Sequence, residues 1–181
     1  MKLTHTIVLF LLFMPLFNVI AQDIPAVEKN LFKIDILDPG FTFEHGLTTK
    51  STLVSGVGLT LAYSYSDYFG SSFTMTPFIS EEYRYYCNFD RRVRKGKNIS
   101  RNSGNYIGSS VAYYFKPITH QQQTFVGATQ IAVFGGFQRT YKVGFNLNFQ
   151  AGVGYVIANS DDEGFTPYLK FTMGWVLGKR K

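Results

Sequence analysis

One cysteine, Cys87, stands in 181 residues, so no disulfide can close within the chain. An exported protein without cross-links must be held by something else, and backbone ladders are one source. Charge is sparse, at 17% Asp, Glu, Lys and Arg, and tryptophan occurs once. Long apolar runs are missing too. Beyond residue 21 nothing approaches the ~18–20 residues that a spanning helix needs, and the nearest candidate, Phe125 to Phe137, is broken by Thr129, Gln130 and glycines. A helical span in the mature chain is thereby excluded, and any membrane crossing must be made by strands.

What is present begins with a leader. Lys2 precedes an apolar stretch, Ile7 to Ile20, interrupted by Pro15 and Asn18 and ending at Ala21. This is the layout of a secretory signal peptide, with cleavage expected after Ala21. Its removal lowers the formal charge from +6 to +5, since it takes away Lys2 and no acid. The expected organisation is a signal peptide (1–21), a polar N-terminal tail (22–30) and one β-barrel domain (31–181).

The strongest pattern is Tyr141 to Ile157, YKVGFNLNFQAGVGYVI. Its odd positions are apolar throughout, whereas the even positions from Lys142 to Gly154 are only Lys, Gly, Asn and Gln. Period two over such a length means a strand with one greasy and one wet face. The same alternation recurs in Leu31–Leu37, Phe41–Leu47, Leu53–Tyr65, Phe73–Phe89, Asn105–Lys116, Thr124–Phe137 and Phe165–Leu177. Turn signals separate them, such as Asp38-Pro39-Gly40. In the fourth segment Glu81 falls on the apolar face, and a bulge near Pro77 or Ser80 is expected to correct the phase. Eight strands, an even number, close into an antiparallel up-and-down barrel with both termini at one end.

Alternation fits a soluble lipocalin-like barrel as well, with its apolar face inward. Length and volume separate the two readings. Tyr141 to Tyr155, at a rise near 3.3 Å and a tilt near 40°, climbs roughly 35 Å, enough for an apolar band about 25 Å tall. Turned inward, the large apolar side chains would overfill the lumen of an eight-stranded barrel. The fold class expected is therefore an all-β, eight-stranded transmembrane barrel in an outer membrane.

The leader, the eight-strand pattern and the segment FDRRVRKGKNISRNSGNY (Phe89 to Tyr106) together resemble a group of small outer-membrane β-barrel proteins of Bacteroidota, largely of unknown function. The resemblance implies an outer-membrane location and carries no catalytic residues. The closing TMGWVLGKRK partly resembles the C-terminal assembly signal of such barrels through Thr172, Gly174 and Leu177, with KRK where a terminal aromatic is usual.

Parity places Lys33, Asp35, Glu44, Glu82, Arg84, Lys116, Lys142, Asn146, Asn148, Gln150 and Lys170 in the lumen, with Glu82 and Arg84 as the central pair. A solid polar core or a gated path would both use such residues. Arg91, Arg92, Arg94, Lys95, Lys97 and Arg101 form a basic segment suited to lipid phosphates, lipopolysaccharide included, or to an acidic partner, or serving only as a solvated connection. With a periplasmic N-terminus this segment falls on the periplasmic side, unless Asp38-Pro39-Gly40 fails to turn the chain. The partners expected are outer-membrane lipids and the barrel assembly machinery, without nucleic acid, and the chain is expected to be a monomer. No catalytic triad, metal site or cofactor is expected: His45 follows Glu44, but adjacent strand residues point to opposite faces. The alternatives are a soluble carrier of an apolar ligand and a lipid-modifying barrel enzyme. Cys87 reads as a small apolar filler near a strand end.

Overall fold

The computed structural model describes residues 27–66, 70–118, 127–158 and 163–177; the expected leader lies outside them. Eight strands follow one another: β1 (Asn30–Asp35), β2 (Gly40–Gly46), β3 (Ser51–Ser66), β4 (Gly70–Tyr86), β5 (Asn105–Tyr114), β6 (Ala128–Thr140), β7 (Phe145–Ala158) and β8 (Gly164–Leu177). Each pairs antiparallel with its chain neighbour, and β1 pairs with β8 to close the ring. A helix, α1 (Phe89–Arg94), and a 3-10 turn (Ser100–Asn102) lie between β4 and β5.

The period-two pattern sorts side chains as expected, with the polar set inside. Lys33, Glu44, Glu82, Arg84, Asn146, Asn148 and Gln150 are buried, while Phe43, Val57, Ile107, Val111, Ile131, Val153 and Phe171 are exposed. Stepping between paired residues from Phe32 leads through Phe43, Ser55, Glu81, Val111, Ile131 and Tyr155 to Phe165. The β8 residue that actually pairs with Phe32 is Leu177, so the circuit returns twelve residues away (177 minus 165). With a shear of that size over eight strands, the strands tilt about 45° and each residue climbs about 2.3 Å along the axis. β7 then rises about 30 Å.

The same geometry sets every strand's lower end, on the side of the termini, at nearly one level. The upper ends are uneven. β1 and β2 stop after about 12–14 Å, whereas β3 and β8 run on to about 30–35 Å.

Several expectations are corrected. The ladder between β3 and β4 runs unbroken from Ser51↔Tyr85 to Ser66↔Gly70, so there is no bulge at Pro77 or Ser80. Pro77 needs none: its carbonyl accepts from Phe115 on the side where the β4–β5 ladder has already ended, so its missing N–H falls there too. Glu81 consequently stays on the outer face, between Ser55 and Val111, and its Oε2 is covered without a hydrogen-bond donor. β7 begins at Phe145 rather than Tyr141, because Tyr141 to Gly144 is a turn closed by Gly144 N–H to Tyr141 O, with Gly144 at φ +88°. Phe89, expected on a strand, opens α1 and is buried beneath the lumen, 4.7 Å from the Tyr86 ring.

α1 carries Asp90 in its first turn and Arg91, Arg92 and Arg94 in its last, the arrangement that a helix dipole favours, and Gly96 follows at φ +61°. The described part of the N-terminal tail docks beside it: Val27 donates to Thr49 O and Glu28 N–H to Asn102 Oδ1. Aromatic side chains climb one wall of the lumen from this base, Phe89 to Tyr86 to Tyr106 to Phe134 to Tyr168.

The closing seam rests on a register of four residues, Phe32↔Leu177 to Asp35↔Gly174. A Cβ on Gly174 would stand 1.8 Å from the Ile34 carbonyl oxygen, so only glycine lets the two strands approach. Gly174→Val is expected to push β1 off β8, read as faster amide exchange in β1 and β8 than in β5 and β6; uniform exchange across the ring would contradict this seam as the weak one.

Candidate functional site

Inward parity delivers the charged residues of six strand positions into the lower half of a narrow lumen. Glu44, on β2, accepts from Lys33 Nζ at 2.6 Å, Tyr86 OH at 2.8 Å and Asn102 Nδ2 at 2.8 Å. Glu82, on β4, accepts from Arg84 Nη2 at 2.5 Å, Lys170 Nζ at 2.7 Å and Gln150 Nε2 at 2.9 Å. Gln138 joins the two groups: its Oε1 accepts from Lys33 at 2.7 Å and from Arg84 at 3.1 Å, while its amide donates to Arg101 O at 3.0 Å. The Arg84 guanidinium lies over the Tyr106 ring at 4.8 Å, and Tyr106 OH donates to Asn148. Tyr168 OH donates to Gln150 Oε1 at 2.9 Å, and Asn146 donates to Thr140 Oγ1 at 2.7 Å.

Of the lumen residues expected from parity, Lys33, Glu44, Glu82, Arg84, Asn146, Asn148, Gln150 and Lys170 meet in this network. Asp35, half-buried above them, accepts from Thr42 at 2.7 Å. Lys116 and Lys142 do not belong: β5 ends at Tyr114, Lys142 sits in the turn before β7, and both are exposed. Their departure balances the interior, leaving Lys33, Arg84 and Lys170 against Asp35, Glu44 and Glu82. Sequence reasoning missed Gln138, Asn102, Tyr86 and Tyr106 as members. The even-position parity of β6 would have found Gln138 had the strand been carried past Phe137. Asn102 comes from a connecting segment, for which no periodicity exists.

The network nearly fills its half of the barrel, leaving a gap of about 30 Å³ beside Lys33, Gln138 and Asn148, room for roughly two waters. Above it, away from the termini, a cavity of about 240 Å³ opens against Lys170, Tyr168, Tyr114, Gln130 and Ser110.

The basic segment lies at the termini end. Arg91, Arg94, Lys95 and Lys97 are exposed, whereas Arg92 turns back onto Asn98 O at 2.7 Å and Arg101 is drawn against the barrel, its carbonyl held by Gln138 and Thr140. Lys50 bonds Asp90 at 2.6 Å, tying the β2–β3 turn to α1; that hydrogen bond holds the Lys50 ammonium above its ordinary value. Cys87 is exposed rather than a filler, its Sγ 3.5 Å from Asn105 O.

His45 bonds Asn30 at 2.7 Å and stacks on the outward Phe43, whereas Glu44 is sealed inside with Lys33. The two therefore face opposite sides of the wall. His120 lies outside the described residues, and among those described no three His, Cys, Asp or Glu are grouped to hold a metal ion. The chain matches no known protein family, no curated protein and no solved structure.

Glu82→Gln would leave Arg84 and Lys170 buried against a neutral amide. A broken buried pair costs about 3–5 kcal/mol, so the unfolding midpoint of the folded barrel in urea is expected to fall sharply. The larger change Glu82→Leu with Arg84→Met and Lys170→Met, which removes all three charges, is expected to cost less. Equal losses would contradict electrostatic balance as the source.

Proposed function

We propose that this chain is an integral outer-membrane β-barrel without enzymatic activity, delivered by its leader and held in lipid by its outer face, with a structural, surface-interaction or small-solute role. The observation that carries the reading is the inversion of burial. The side chains packed inside are ionic and amide groups beside one column of aromatic rings, mostly tyrosines, and the large exposed side chains are Phe, Ile, Leu, Val, Tyr and Trp around the whole wall. Lipid accepts that surface at no cost, and the closed ladder satisfies the backbone over the height of β1 and β2. The rise of about 30 Å exceeds the roughly 25 Å apolar band of such barrels. A soluble lipocalin-like carrier would need its apolar faces inward, the reverse of this arrangement.

The polar network favours a barrel blocked at its termini end over a continuous pore, since charges are paired and little space remains between them. The separation of His45 from Glu44 gives a lipid-modifying mechanism no assembled base and orienting acid. Arg91, Arg94, Lys95 and Lys97 would meet phosphate headgroups of the leaflet at the termini end, lipopolysaccharide being an alternative only if that end faces outward. The chain would act as a monomer, inserted by the barrel assembly machinery. This is the kind of protein that the Phe89 to Tyr106 segment resembles.

The folded protein is expected to fractionate with outer membranes and to change gel mobility on boiling in detergent; a freely soluble, heat-indifferent protein would sink the reading. Val133, 62% exposed near half height, supplies a sharper comparison. Val133→Arg is expected to cost about 2–4 kcal/mol if that face meets the bilayer midplane, against within about 0.5 kcal/mol for an ordinary water-facing site. Protease added to intact cells should leave Arg91 to Arg101 uncut, and cleavage there would reverse the orientation.

A further inference from the structure

The uneven upper edge of the barrel has a definite shape. β8 is paired with β7 along its length up to Val156↔Gly164, but with β1 only from Leu177 to Gly174, after which Met173 O accepts from Ile36 N–H. On the opposite side β3 loses β2 after Gly58, and Leu59 N–H donates to Pro39 O. Among the described residues, Thr60 to Ser66 of β3 and Gly164 to Thr172 of β8 have no strand beside them on the facing sides. The result is a notch in the wall two strands wide, about 14 Å between β3 and β8, with sides rising roughly 16 Å above a sill formed by the β1–β2 turn.

The lumen cavity of about 240 Å³ opens through this notch. Its lining takes Tyr168 and Lys170 from the inner face of β8 and Pro167, Leu169 and Phe171 from the outer face of the same strand. Asp38 at the sill and Thr60 on the β3 edge also line it, so the cavity lies against all three sides of the notch. Two residues of this edge, Phe165 at 83% and Leu169 at 71%, are among the most exposed large apolar side chains of the molecule.

We propose that the notch is a lateral portal and the cavity behind it a binding site for an amphiphile with a small, uncharged, hydroxyl-bearing head, such as a monoacylglycerol, entering from the leaflet away from the termini. This rests on the reading that the outer face of the barrel meets lipid. The chain would lie along Leu169 and Phe171 and remain in the bilayer. The head would enter the cavity, where Tyr114, Gln130, Thr60 and Ser110 offer hydroxyl and amide partners. Three observations choose the head. Glu82 and Lys170 already pair at 2.7 Å and offer no free counter-ion. The Asp38 carboxylate at the sill repels an anion and accepts from a hydroxyl. The unladdered backbone groups of β3 and β8 cost free energy beside hydrocarbon unless polar groups meet them, which hydroxyls do. Size limits what enters to a small head: the cavity is only moderately larger than the roughly 150 Å³ that holds benzene in an engineered core.

The protein's one tryptophan, Trp175, lies on the outer face near the termini end and makes the test separable. In phosphatidylcholine vesicles, brominated phosphatidylcholine should quench Trp175 of the native chain; absence of that quenching would overturn the membrane reading, and the portal with it. In a Trp175→Phe, Phe78→Trp chain, whose new tryptophan lines the cavity without replacing a partner of the head, brominated monoacylglycerol is expected to dim the lumen tryptophan, brominated phosphatidylcholine to leave it unchanged, and Leu169→Asp to abolish the dimming. If Phe78→Trp loses the heat-dependent gel shift, Tyr168→Trp reports from the same cavity. With Trp175 quenched normally, a lumen tryptophan blind to both lipids overturns the portal. Equal dimming by both overturns selection of the small uncharged head, and emission that follows the protein-to-lipid ratio means that a second copy fills the notch and overturns the lipid as its occupant.

Discussion

Three cations and three carboxylates are enclosed by a ring of eight strands, and their mutual neutralisation is the condition on which the lower half of the barrel depends. An isolated ion there would cost several kcal/mol even after relaxation. Glu44 gathers one cation and Glu82 two, each with neutral donors beside them, so neither oxygen pair is left unmatched inside the ring. The two clusters are not independent. Gln138 accepts from a cation of each with one oxygen, and its amide reaches the 3-10 turn, so the charge network also anchors the segment that seals the base.

That seal is aromatic as much as ionic. Phe89 enters under the lumen only because residue 104 is glycine: a Cβ there would stand 2.4 Å from the Phe89 ring. The short helix is thus positioned by one buried ring, one surface ion pair from Lys50 to Asp90, and the carbonyl of Arg101, while its basic side chains stay outward. Structure and display are divided between the two faces of a single connection.

Much of this was legible in the alternation itself. Period two, held through β1, β2, β4, β7 and β8, assigns their residues to one of two faces, so Lys33, Glu44, Glu82, Arg84, Gln150 and Lys170 follow from counting. Counting fails where the strand stops, which is why Lys116 and Lys142 were assigned inward: the backbone turns before reaching them, and a turn obeys no parity. It fails at Glu81 for another reason. A lone acid on an apolar face looks like a phase error, yet the unbroken β3–β4 ladder keeps it outward. The Asp38-Pro39-Gly40 turn was readable, but its consequence was not. A short hairpin becomes a notch only when the tilt of the ring sets its neighbours' heights, and that tilt is a property of all eight registers together.

The seam between β1 and β8 also governs the order of assembly. Phe32 finds Leu177 only after every intervening strand has been made and placed, the most non-local pairing the chain contains. Until then β1 and the growing end of the sheet are bare edges, each a template for wrong partners. A barrel whose last register is also its shortest therefore spends its vulnerable period before closure, and its need for escort is greatest while β8 is still arriving.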